Sequence, residues 1–153
     1  MSRNQAPIDR WPADRWKGAG APSTDDIARL AEAAVAVIPE ELRQHLGDIV
    51  FRVEDFPDDE VVRSMGLDSP FDLLGLYHGV SLAEKSAFDT VPGQDMIFLY
   101  RRPILDYWCE TGEALDHLVR HVLIHEVGHH FGLSDADMHH IEALADAAAG
   151  KAG

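Results

Sequence analysis

The chain has 153 residues, enough for one domain and too few for two independent cores. Its 46% apolar and 26% charged residues are those of an ordinary globular protein, and 13 Lys+Arg against 27 Asp+Glu give a formal charge of −14, which repels phosphate backbones and anionic lipid and so argues against nucleic-acid or membrane partners. There is no apolar run near the roughly 18 residues that span a bilayer, no signal-peptide core over residues 1–21, and a single cysteine, Cys109, so intrachain disulfides and cysteine zinc knuckles are excluded and a cytoplasmic protein is expected.

Residues 1–22 read as a disordered tail. Arg3, Arg10, Arg15 and Lys17 alternate with prolines and glycines without a period. Trp11 and Trp16 within it either fold back on the body or mark a contact. The single domain is expected over 23–153. Ser23 with Asp26 is a variant capping box, and Ile27, Leu30, Ala31, Ala34, Val35 and Ile38 follow at helical spacing. Pro39 breaks that helix, and 40–46 can add a turn before Gly47.

Residues 48–54 alternate as a strand, with Ile49, Phe51 and Val53 on one face. A short helix over 57–65 ends at Gly66. A second strand is expected over 73–80, weakened by Gly75 and Gly79, then a long connection over 81–94 with a Pro92-Gly93 turn. The third strand is expected over 95–105, with Pro103 lowering its far end or placing it on an edge. Thr111 can cap a helix running to about 131, which Gly132 terminates. Ser134 with Asp137 opens a last helix bearing Ile141, Leu144 and Ala145, with 150–153 frayed. This order predicts an α+β domain, a small sheet backed by helices.

The nine histidines are unevenly placed: seven lie from His117 to His140. Among them His125-Glu126-Val127-Gly128-His129 is H-E-x-x-H inside a predicted helix. Residues four apart share a helix face, so both imidazoles can reach one Zn²⁺ at about 2.0–2.1 Å. Glu126 is rotated by about 100° from His125. It can therefore take the proton of a metal-activated water without being a ligand.

Gly132 and Asp135 follow His129 at three and six residues, making H-E-x-x-H-x-x-G-x-x-D. The glycine lets the chain turn sharply, and Asp135 can swing back as a third ligand. The competing role for Asp135 is an acid that complements the dipole of the last helix. Gly128, mid-helix, costs about 1 kcal/mol relative to Ala and so marks either the site or a close helix contact. Leu123, Ile124, Val127 and Phe131 are expected to bury the helix.

Over residues 122–135 the chain resembles the minimal zincin-like metallopeptidases, and more weakly over 73–79 and 97–104, so that the resemblance spans 23–148. It implies a compact zincin core, zinc at His125 and His129, and Glu126 as the catalytic base. The third ligand departs from metzincins, which carry His where this chain has Asp135, and Met138 comes too soon for a Met-turn.

The other histidines have plainer readings. His117 and His121 continue an i, i+4 ladder that drifts about 40° per step, with His121 expected as a surface or hydrogen-bonded residue. His139 and His140 can approach the site from the last helix, and Glu142 is a fallback ligand. Tyr100, Tyr107 and His139 are the candidate oxyanion donors, and residues 95–101 the candidate edge strand for a peptide substrate. Cys109 is expected to be buried. Two alternatives stand beside the zinc peptidase. A metal-dependent endoribonuclease of the H-x-x-x-H type would want a third His where Phe131 stands. A non-catalytic zinc or protein-binding module would keep the fold alone.

Overall fold

A computed structural model of the protein describes residues 20–44, 46, 48–79 and 94–152. The expected tail, up to residue 19, and most of the expected connection, residues 80–93, lie outside the described residues.

The chain enters through α1 (Thr24–Val37). Its capping box is fully made: the Asp26 N–H donates to Ser23 Oγ at 3.1 Å, and the Ser23 N–H donates to Asp26 Oδ2 at 2.8 Å. Ile27, Ala31 and Ala34 form its buried stripe. After Pro39 comes the single turn α2 (Glu40–Arg43), then β1 (Asp48–Glu54). Asp58 caps α3 (Asp59–Ser64) by accepting from the Val61 N–H at 2.9 Å. A 3-10 turn (Pro70–Asp72) leads into β2 (Gly75–Gly79). The second half comprises β3 (Gln94–Tyr100), α4 (Arg101–Thr111), α5 (Leu115–His130) and α6 (Asp135–Ala152).

The three strands are ordered β1-β3-β2, with β1 parallel and β2 antiparallel to β3. The architecture is the expected α+β one, a small mixed sheet packed on helices. The strand over 95–101, however, is central and not an edge. It is covered on both faces, which explains its continuous apolar run. Ile97 and Leu99 enter the main core with α1 and α5, while Met96, Phe98 and Tyr100 join Leu73, Val61, Leu67 and Leu76 on the other face.

Several expected boundaries are corrected. Beyond Tyr100 the chain is helical, not extended, because Pro103 is the third residue of α4, where its missing N–H has no intrahelical partner. Thr111 ends α4 and does not cap α5; its hydroxyl donates to the Tyr107 carbonyl at 3.0 Å, and Ala114 takes the N-cap position of α5. The last helix continues to Ala152. Leu118, Val119, Val122, Leu123, Ile124 and Val127 bury α5, whereas Phe131 and Leu144 are exposed, as is Cys109. Cys109 and Leu144 stand on helix faces turned away from the core, and Phe131 lies past the end of α5.

β2 approaches α5 closely. A Cβ on Gly75 would stand 2.8 Å from Val122 Cγ1, so the glycine that weakens the strand pattern is what admits the contact. No helix among the described residues is long and apolar enough to cross a membrane.

Candidate metal centre

The turn after α5 sets the geometry. Gly132 takes a left-handed φ of 73°, and the Leu133 N–H reaches back to the Gly128 carbonyl at 2.9 Å. Ser134 then starts α6, its hydroxyl accepting from the Asp137 N–H at 3.1 Å. A four-residue connection between helices makes them antiparallel neighbours. Gly128 belongs to that contact: a Cβ there would sit 2.5 Å from Met138 Sδ. Met138 is fully buried against the H-E-x-x-H turn, and it reaches that place from within α6, without a crossover.

His125 and His129 stand one turn apart with ring centroids 6.1 Å apart and planes nearly perpendicular. His129 is exposed; the His125 side chain is 21% exposed. Burial pulls the His125 imidazole below its ordinary value, against the opposing hydrogen bond from Glu142. Burial thus works toward the neutral ring, the form that binds a cation. Glu126 is half-buried. Burial raises its carboxyl, while the Tyr77 backbone N–H and His129 act in the other direction.

The Tyr77 contact locates Glu126 against the sheet. The Tyr100 N–H donates to the Leu74 carbonyl at 3.0 Å, so the antiparallel alternation turns the backbone groups of Leu76 and His78 toward β3 and those of Gly75 and Tyr77 outward. The outward edge of β2 thus meets the Glu126 carboxylate. It was not singled out in the sequence, since strand order is not a local property.

Asp135 is the first residue of α6 and exposed. It belongs to neither of the two groups of potential ligands that converge among the described residues, His121/His125/Glu142 and His117/Glu142/Asp146. Glu142 is the shared member. Its Oε1 lies 3.1 Å from His125 Nε2, and its Oε2 lies 2.9 Å from His121 Nδ1. Burial raises its carboxyl, but the contacts with His121 and His125 outweigh that and leave it below its ordinary value. His121 is hydrogen-bonded, as expected. His139 brings its ring within 6.4 Å of His125, and His130 lies over the Tyr77 ring at 4.1 Å.

Of the candidate oxyanion donors, Tyr107 is exposed on α4 and Tyr100 is buried in β3. The Tyr100 phenol is pushed far above its ordinary value, first by burial and then by the carboxylates of Glu54, Asp58 and Glu126. Sequence reasoning overlooked Glu113, Arg120 and Asp146. The signal was available: Glu142 and Asp146 are four apart, like His117 and His121, in a helix that must run back along the first.

Taken as a donor set, two imidazoles one turn apart beside a half-buried carboxylate fit a zinc-type cation. A family model described as zincin-like metallopeptidase matches residues 46–144, from the approach to β1 through most of α6. No curated protein matches the chain.

Proposed function

The chain belongs to the zincin-like metallopeptidase family, whose function is of the metal-dependent peptidase type, and on that premise we propose that it is a zinc peptidase with His125 and His129 as ligands and Glu126 as general base. Asp135 is the third ligand in this reading, on its spacing after the turn at Gly132, although it stands exposed and outside the converging groups; Glu142, already against His125, is its competitor. Zinc, when bound, supplies Lewis-acid activation of a peptide carbonyl and lowers the pKa of water toward neutrality.

The chain's own residues do the rest. Glu126 accepts a proton and returns it to the leaving amine, and its burial-raised carboxyl suits that exchange. β2 is an edge of the sheet among the described residues, and an extended peptide would lie along its outward side, next to Glu126. The substrate is accordingly a peptide or an unstructured protein segment, and the −14 charge disfavours RNA.

The observation that carries this reading is the position of Glu126, next to His125 on α5 and against the outward side of β2 at Tyr77. The full chain, zinc-loaded, should hydrolyse an unfolded protein and leave RNA intact, and a chelator should abolish the activity. Chelator-sensitive cleavage of RNA alone would establish the ribonuclease alternative. Zinc binding without any hydrolysis would establish the binding module.

A further inference from the structure

The end of the α5/α6 hairpin remote from Gly132 carries a second cluster that peptide hydrolysis does not use. The His117 ring is held at Nδ1 by Glu113 Oε1 at 3.0 Å, one turn earlier. That contact directs the opposite nitrogen at α6, where Nε2 lies 3.3 Å from Asp146 Oδ2 and 3.5 Å from Glu142 Oε2. A carboxylate behind one ring nitrogen, with the other aimed at acidic oxygens, is how proteins fix the tautomer and direction of a metal-binding histidine. Asp146 is held as well. The Arg120 Nε donates to its Oδ1 at 3.1 Å while Nη1 donates to Asp116 at 3.1 Å, leaving Oδ2 for the cluster.

The separations are compatible with a shared cation. Charge-assisted N–H···O contacts close to about 2.7–2.9 Å, and the His121–Glu142 contact at 2.9 Å does so. Two atoms each about 2.0–2.1 Å from a tetrahedral zinc stand about 3.3 Å apart. The two His117 separations, 3.3 and 3.5 Å, lie near the second figure, in a range that ion pairs such as Arg52–Glu54 at 3.7 Å also occupy. Charge agrees: Asp116 and Asp146 contact the Arg120 guanidinium while Glu113 and Glu142 contact only histidines, and four carboxylates beside one permanent cation favour a further cation.

We propose that His117 Nε2, Glu142 Oε2 and Asp146 Oδ2 form a second zinc-type cation site, two turns of α5 from His125. The ion pins α6 to α5. It also fixes Glu142, whose other oxygen touches His125, so the site positions a residue of the peptidase centre from behind. The proposal relies on the peptidase reading only for the statement that a first ion binds at His125 and His129; Asp146 itself lies beyond the matched residues 46–144.

Counting ions in the metal-stripped full chain titrated with Zn²⁺ decides it. The wild type should bind two equivalents. His117→Ala and Asp146→Asn should each bind one, His129→Ala should bind one, and His117→Ala with His129→Ala none. Co²⁺ in place of Zn²⁺ should show the same counts by visible absorption. One equivalent in the wild type, or two in both His117→Ala and Asp146→Asn, overturns the proposal. His117→Gln, at a position 36% exposed, tests the ligand role if Asp146→Asn disturbs Arg120 enough to unfold the chain. The readout is independent of hydrolysis: an inactive wild type that binds two ions refutes the peptidase and keeps this site. Two ions in His129→Ala with one in His117→Ala refutes only the assignment of the first.

Discussion

The two ends of the α5/α6 hairpin hold the same residue types under opposite conditions. Near Gly132, His129 and Asp135 are exposed and Glu126 faces the outward side of β2. At the far end, Glu113, His117, Arg120, Glu142 and Asp146 are joined in one continuous set of contacts. Metal sites that do chemistry keep a position open for the substrate, and sites that hold structure are closed by protein. One pair of helices presents both conditions, so the contrast comes from the neighbours and not from the histidines.

The largest effect should break the contrast at its open end. Glu126→Gln should lower turnover by about 10²–10⁴-fold while zinc content is unchanged, since an amide cannot accept the proton; full turnover would take Glu126 out of the mechanism. Asp135→Ala asks whether the open end has its third ligand there. Zinc affinity should fall by about 100-fold or more with the fold intact, whereas an acid that only complements the helix dipole would cost about 0.3–1 kcal/mol of stability and leave zinc bound. A metal titration beside a melting curve separates the two.

At the closed end, Arg120→Met removes a buried cation that holds two carboxylates in place. Because Asp116 and Asp146 keep access to water, the expected loss is about 1–3 kcal/mol by denaturant unfolding, less than for a fully enclosed pair. The smallest effect concerns Glu126 in the metal-free fold. Its carboxyl is raised by burial above the ordinary 4.5. The folded state therefore resists ionisation, and folding carries a penalty at neutral pH that fades as pH falls through the raised value toward the ordinary one. Glu126→Gln should raise the metal-free melting temperature at pH 8 and by less at pH 5. A gain that grew on acidification would contradict the sign.

What was legible in the sequence was what short spacing encodes. The Ser23–Asp26 capping box, β1 and the stop at Gly132 depend on neighbours a few residues apart and stand where the pattern placed them, as does the H-E-x-x-H helix except at its start, which lies at Leu115 and not at Thr111. α4 was hidden because a proline in a helix's first turn looks the same in sequence as one that breaks a strand. The edge role of β2 and the meeting of His117 with Asp146 depend on tertiary placement. Periodicity gives each helix a face but does not say which residues on the opposing face will be level with it.

The register of the parallel pair has a kinetic consequence. Asp48 lies opposite Gln94 and Glu54 opposite Tyr100, so every β1–β3 rung joins residues 46 apart in the chain. The α5/α6 hairpin closes through a four-residue turn. Loop-closure entropy delays distant pairings relative to local ones, so the histidine-bearing hairpin should become ordered before the sheet is complete. Pulse-labelled hydrogen exchange during refolding should protect amides of 118–130 earlier than those of 48–54. The histidine-bearing helices would then exist ahead of the completed sheet, so that in the proposed reading a chain arrested midway would carry its metal ligands before it had a strand edge for substrate.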